Sequence, residues 1–314
     1  MGLLTAVNVI TLPIEAVQKV LVLSCLAPGD PLKNVLVGSI MAIKKQWVGK
    51  VEVVVRYAET VDEFVEAINA FDGSVMVFDG HGAINHQDPV GYLLIGKEKV
   101  DVWQLRERVR VPPIVMLSAC DTQGIDSSSH ATVGNGFLAL GARTVLATLL
   151  PVDGYSSGSL IARFIHRLAE FLPSAIGLAK RALNWTEIVA GMLRMLFASE
   201  LLDKLVSPPA PLNTPRGKLQ IEANIEINSG DPDWYDKLLG RIAAFRHEPL
   251  VNVIEQAEDF IARSEAIRYI QLGSPESILV VDDKIEASVF GDIIQRVAAD
   301  QEHFEAQPTV SLAP

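Results

Sequence analysis

The sequence predicts an α/β fold: a mostly parallel central sheet of about six strands flanked by helices, with a helical C-terminal extension. Short runs rich in Val, Ile and Leu alternate with helical patterns through the first half of the chain, the signature of a parallel sheet covered on both faces. Turn-forming Gly, Pro, Asp and Ser punctuate those runs, and beyond about residue 155 helical periodicity dominates. The 314 residues are 49% hydrophobic and 21% charged, enough apolar material for a full core and far from a disordered or collagen-like composition. We read residues 1–314 as a single domain, with an α/β core over 1–172 and a helical extension over 173–314.

Element by element, VLVLSCL (20–26) is a buried strand closed by Pro28, Gly29 and Asp30. A helix over about 31–47 leads to the strand VEVVVRY (51–57), and a helix near 61–70 leads to SVMVFDG (74–80). The apolar residues of VDVWQLRERV (100–109) fall at helical spacing, and PPIVMLSAC (112–120) is a buried strand ending in a cysteine. The polar, Ser-rich segment 121–134 reads as a loop, followed by a short helix at 134–140, the strand ARTVLATLL (142–150) and a helix over 159–172. Residues 173–206 read as one long helix, and PPAPLNTP (208–215) as a linker. Two further helices fall near 232–246 and 250–266, then IRYIQLG and SILVVDD form a predicted hairpin over 267–283 that adds an antiparallel strand to the sheet. The tail beyond 306 is expected to fray.

Charge and cysteine content narrow the function classes. The net charge is −11, and no basic block tracks a phosphate backbone, so nucleic acid is not an expected direct partner. The acidity is concentrated in residues 207–314, with 9 basic against 18 acidic groups, as expected of solvated helix faces. Two cysteines, Cys25 and Cys120, make no disulfide framework and suit a reducing cytoplasm. The N-terminal segment lacks a basic n-region, and the apolar run 188–198 is short and broken by Arg194; neither a signal peptide nor a membrane span is expected.

In open parallel sheets, functional groups collect beyond the carboxyl ends of strands. Two strand ends carry chemistry: SVMVFD runs into Gly80-His81-Gly82, and PPIVMLSA into Cys120-Asp121-Thr122. If the strands are neighbours, their ends lie about 4.8 Å apart, placing an imidazole within reach of a thiol. Cysteine needs such a partner because only the thiolate attacks. The N–H groups of Gly82 and Cys120 could together hold an oxyanion. The bland alternative is an inert strand-end cysteine and a histidine in a simple turn. Asp79 and Asp121 adjoin the pair, and either could orient His81 or merely cap a turn. Cys25 reads as a core residue, and His86 with Asp88 is too sparse a set for zinc.

The segments VMVFDGHGA (75–83), IVMLSACDT (114–122), GNGFLALGARTVLATLLPVD (134–153) and SEAIRYIQLGSPESILVVDD (264–283) resemble the CHAT domain, a family of caspase-like cysteine peptidases related to separase. The resemblance spans about residues 20–284 and implies a caspase-like fold, with His81 as general acid/base, Cys120 as nucleophile and no cofactor. It also implies a pocket for the residue before the scissile bond at Ser24, Ala27, Ser118 and Asp153. A carboxylate of Asp153 there would favour a basic side chain, although the same residue could cap the following helix. Leu149-Leu150-Pro151-Val152-Asp153-Gly154 departs from the family, which usually carries a tryptophan and a second acid there, so pocket preference is open. The tetratricopeptide repeats that precede many CHAT domains are not in this sequence.

The family context implies a bacterial protease cutting one dedicated protein substrate, in defence or cell-death systems a gasdermin-like pore former or a partner protein. An activator acting on the loop 121–133 is expected from the same context. The competing class is a non-catalytic interaction module. Two decoys remain. Gly134-Asn135-Gly136-Phe137-Leu138-Ala139 fits G-x-G-x-x-A but follows a loop instead of a strand, against a dinucleotide site. Gly154-Tyr155-Ser156-Ser157-Gly158 fits the G-x-S-x-G elbow of a serine esterase, with His303 and Asp282 downstream, but Ser156 lies several residues past the strand end.

Overall fold

The computed structural model describes residues 9–84, 90–120, 122–123, 131–209, 211 and 213–282. Strand β1 (Ile10–Pro13) and the single turn α1 (Ile14–Val17) lead into β2 (Lys19–Ser24), α2 (Val35–Ala42), β3 (Glu52–Tyr57), α3 (Val61–Asn69) and β4 (Val75–Asp79). Strands β5 (His81–Ile84), β6 (Gly91–Ile95) and β7 (Glu98–Val100) come next, then β8 (Ile114–Ser118), α4 (Val133–Ala139) and β9 (Thr144–Thr148). Helix α5 (Gly154–His166) passes through a π-helical turn (Arg167–Phe171) into α6 (Leu172–Ala179), and β10 (Leu183–Asn184) precedes α7 (Trp185–Leu205). Helices α8 (Pro215–Ser229), α9 (Trp234–Arg246) and α10 (Leu250–Ile261) lead to β11 (Tyr269–Gly273) and β12 (Ile278–Val281).

The central sheet has six strands in the order β11-β9-β8-β4-β2-β3, all parallel except β11, which runs antiparallel to β9. This is the caspase-like α/β architecture that the alternation of apolar runs implies. Its strands are apolar throughout because both faces are covered, and the side-chain period of two sorts them. Val20 and Val22 of β2, Val75 and Val77 of β4, and Ile114 and Met116 of β8 join one cluster with α2, α5, α6 and the start of α7. Leu21 and Leu23, Met76 and Phe78, and Val115 and Leu117 join the opposite one, with Phe64 of α3 and Phe137 of α4. Fully burying each such side chain stabilises the fold by about 1.5–3 kcal/mol.

Local sequence explains the helix boundaries. Thr60 and Glu63 form a reciprocal capping box at the start of α3, and Asn184 with Glu187 does the same for α7, each satisfying two orphan N–H groups. The expected long helix 173–206 is divided, because Lys180 adopts a left-handed conformation (φ 49°) and ends α6. Along α7, Trp185, Ile188, Val189, Met192 and Leu196 pack into the sheet's cluster, whereas Ala198, Leu201, Leu202 and Leu205 pack with α8, α9 and α10.

Two further expectations are corrected, and one helix was missed. The strands of the 267–283 segment form, but not as a hairpin: β11 pairs with β9, whereas β12 enters a separate sheet between β1, parallel, and β10, antiparallel. The short helical turn Pro275–Ser277 between them turns the chain away from the central sheet. The segment 100–109 is β7 and a 3-10 turn (Val102–Leu105) instead of a full helix. Helix α8 was not legible, since its face toward the core is reduced mainly to Leu219, Ala223 and Ile227. The loop 124–130, Asp121, His86, Asp88, His303 and the tail lie outside the described residues.

Candidate active site

The two strand ends singled out above are neighbours. Strands β4 and β8 are paired in parallel with Asp79 opposite Ser118, and β2 lies on the other side with Ser24 opposite Asp79. Gly80 follows β4 and donates its N–H to the Ser118 carbonyl at 3.4 Å. His81 then opens β5, the first strand of an antiparallel β5-β6-β7 sheet. This small sheet, inserted between two core strands, carries the histidine out over the end of β8, where Cys120 sits two residues past the last strand residue.

His81 and Cys120 line one narrow cleft of about 40 Å³, together with Asp79, Ser118, Val152 and Ser157. Cys120 is partly exposed, and its Sγ lies 3.5 Å from the Val152 carbonyl oxygen. Gly82 packs flat on the backbone of Cys120: a Cβ there would sit 2.6 Å from the Cys120 carbonyl oxygen, so any side chain would push the two strand ends apart.

The histidine has a carboxylate partner that the sequence did not disclose. Nε2 of His81 is 2.7 Å from Oδ2 of Asp30, a residue of the turn after β2. Asp30 is fixed in turn, because its Oδ1 accepts the Leu32 N–H at 2.9 Å and its own N–H donates to the Ala27 carbonyl at 3.1 Å. Burial opposes its ionisation, but the hydrogen bonds from His81 and Leu32 and the imidazole's charge prevail and hold it below the usual carboxylate range. An Nε2–H donated to Asp30 leaves Nδ1 as the nitrogen free to exchange a proton.

Asp79 takes neither of the roles weighed for it: it does not hold His81 and is not at the surface. It is 5% exposed, with Oδ2 lacking a hydrogen-bond partner. Burial pushes its carboxyl up to about 6, against the lowering effect of the neighbouring Ser24 hydroxyl and His81. Ser24 and Ser118 flank it on the adjacent strands, and Ser118 Oγ lies 2.7 Å from Ser157 Oγ of α5.

Of the four residues expected to form the specificity pocket, Ser118 lines the cleft, whereas Ser24, Ala27 and Asp153 do not. Asp153 is the N-cap of α5, its Oδ2 accepting the Ser156 N–H at 2.8 Å, and it does not line the cleft. The helix start claims this carboxylate because four N–H groups there have no partner in the helix itself. Ala27 lies in the turn behind Asp30, while Leu26 and Leu32 line the cleft. Ser156 sits in the first turn of α5, well past the end of β9 at Thr148, which is not the strand-to-helix elbow an esterase serine needs. Cys25 is fully buried, and burial drives its thiol strongly upward, with Asp79's charge adding to the shift.

A CHAT domain family model matches residues 20–186. The chain belongs to the CHAT family. CHAT domains are caspase-like domains of protease type, and the match covers every strand of the central sheet except β11. No curated protein matches the chain significantly. Among the described residues no group of side chains could hold a metal ion, and no helix is long and apolar enough to cross a membrane.

Proposed function

We propose that this CHAT domain is a cysteine endopeptidase acting on a dedicated protein substrate, with Cys120 as nucleophile and His81 as general acid/base. The observation that carries the reading is the junction of both residues in one cleft at adjacent strand ends, with His81 held at Nε2 by Asp30. Nδ1 takes the thiol proton, Sγ of Cys120 attacks the scissile carbonyl, and the C–N bond breaks as Nδ1 returns the proton to the leaving amine. Water then attacks the thioester and releases the carboxylate product. The N–H groups of Gly82 and Cys120 are the proposed donors to the oxyanion.

The acid available to a substrate side chain in this cleft is Asp79, not Asp153, and we assign to it a preference for Lys or Arg before the cut. A cleft of about 40 Å³ holds little more than a water molecule. We propose that the wall formed by Leu32, Val35 and Leu36 gives way as substrate enters, which would suit an enzyme kept latent until its partner binds. In a bacterial defence or cell-death setting a gasdermin-like pore former would fit such a dedicated substrate.

The test is labelling of the full chain with peptide acyloxymethyl ketones ending in Lys or in Glu, with mass spectrometric readout of the modified site. We expect Cys120 to be labelled and Cys25 spared, the Lys probe to be faster, and labelling to vanish in Cys120→Ala and His81→Ala. Labelling of Cys120 that is unchanged in His81→Ala would sink the dyad. A fluorophosphonate adduct on Ser156 would replace it with the esterase reading. Equal inertness of both cysteines in the presence of every basic-ended probe would favour the non-catalytic module.

A further inference from the structure

A second, much larger cavity of about 540 Å³ lies where the π-helical turn after α5 faces α7 and α8, in the ordinary size range of small-molecule sites. Its chemistry is cationic. Arg167, on the π turn, is 6% exposed and has no carboxylate within 4 Å among the described residues. Its Nε donates to the Ile188 carbonyl at 3.0 Å and its Nη1 to Asn228 Oδ1 at 2.7 Å. The guanidinium also stacks 3.6 Å from the centre of the Phe171 ring. Burial lowers its pKa only to about 10, so it is charged at neutral pH.

Buried charges in proteins are almost always paired, because an unpaired one forfeits its hydration without recompense. Here the fold makes room for such a charge. Gly191 of α7 faces the guanidinium so closely that a Cβ would lie 2.3 Å from Nη2 of Arg167, and Nη2 itself has no protein acceptor among the described residues. At the cavity rim the exposed Arg163 makes no hydrogen bond or ion pair within 4 Å among the described residues, although the charges of Asp203 and Glu200 favour its ionised form, and among the same residues Nδ1 of His166 is buried without a partner. The other charges are already engaged: Arg216 is paired with Asp203, and Glu170 with Lys50. Met192, Met195 and Phe171 supply an apolar wall. A π turn interrupting a helix is itself frequent at functional sites.

We propose that this cavity binds a small soluble phosphate monoester, whose dianion supplies the counter-charge missing from Arg167 and is reached from the rim by Arg163, and whose organic body lies against the methionines and Phe171. With Nε and Nη1 of Arg167 already engaged, its Nη2 is the donor left for a phosphate oxygen, and the planar fork of Arg163 can pair with two more. The site lies outside the protease cleft and does not depend on the peptidase reading, although α5 carries residues of both: Ser157 at the cleft and Arg163 and His166 at the cavity.

The test is calorimetric titration of the full chain with phenyl phosphate, inorganic phosphate and benzyl alcohol, backed by thermal shift. We expect phenyl phosphate to bind about tenfold tighter than inorganic phosphate and benzyl alcohol not to bind, each arm removing one of the two contacts. Arg163→Gln, which breaks no internal bond, should weaken phenyl phosphate about tenfold while leaving the melting temperature of the free protein unchanged. Arg167→Met should abolish binding, and Arg163→Gln, which breaks no internal bond, keeps the test independent of any loss of stability in that variant. Absence of phenyl phosphate binding, equal affinity in Arg163→Gln, or benzyl alcohol binding as tightly as the ester would each overturn the proposal.

Discussion

The cleft and the helical cavity both bury a charged side chain without a direct counter-ion, and they resolve the problem in opposite ways. In the cleft Asp79 answers burial by holding its proton more tightly, up to about pH 6, so it can be nearly neutral or charged as the surroundings change. In the cavity Arg167 stays charged despite comparable burial, because guanidinium starts so far above neutral pH. A carboxylate can be buried next to His81 and Cys120 and still leave the protein stable over part of the pH range. A guanidinium in the same position demands an anion from somewhere else.

The largest expected effects test whether the cleft is catalytic at all. Cys120→Ala should reduce probe labelling or substrate cleavage at least ~10³-fold, down to background, because no other group in the cleft can form the thioester. Asp30→Asn is the sharper experiment. It keeps the size of the side chain but weakens the bond that sets the His81 tautomer, and cleavage should fall on the order of 10²-fold. Thermal stability should change little, and the pH profile of labelling should shift, which a purely structural role for Asp30 would not produce. A pH profile identical to the wild type would remove Asp30 from the site and leave His81 oriented by its backbone alone.

Asp79 provides the next effect, read as stability against pH. Its folded pKa is raised from the ordinary carboxylate value up to about 6, so the folded state favours the protonated form. The associated stability is complete below about pH 4 and is lost as the pH rises through about 6, a difference of roughly 3 kcal/mol. Asp79→Asn should therefore raise the melting temperature at pH 8 and have little effect at pH 4, with the preference for Lys-ended probes lost. An equal shift at both pH values would show that the carboxyl is not titrating in the folded protein.

Much of this arrangement could be read from the chain, and the unread parts have physical causes. The strands leading to Asp79 and Ser118 are apolar up to those residues, so the strands, the polar residues that terminate them and the places of His81 and Cys120 just beyond their ends were visible, while the adjacency of the two ends was a condition that the pairing of β4 with β8 meets. Asp30 was not, since it lies 51 residues from His81 in a turn whose composition signals only chain reversal; the fold alone brings the two together. Strands β5, β6 and β7 were hidden because they are short and lie across a glycine-rich stretch. Helix α8 was hidden for the reverse reason, since most of its residues are polar. Arg167 falls inside the helix expected over 159–172, and only the crossing of α7 at Gly191 shows that it is enclosed.

Asp153 is where two sequence readings competed, and a single substitution separates them. As a helix cap, its carboxylate satisfies the Ser156 N–H at 2.8 Å, and its backbone N–H is already engaged by Glu265 at 3.1 Å. Asp153→Ala removes the cap alone, so unfolding should become easier by about 1 kcal/mol. Asp153→Asn keeps an acceptor at that position and should recover most of the loss, because the interaction needs an oxygen more than a charge. Neither variant should alter the ratio of labelling by Lys-ended and Glu-ended probes, since the side chain does not line the cleft. If Asp153→Asn instead kept full stability and lost the preference for Lys, the carboxylate must turn into the cleft when substrate enters. The specificity assigned to Asp79 would then pass to the start of α5.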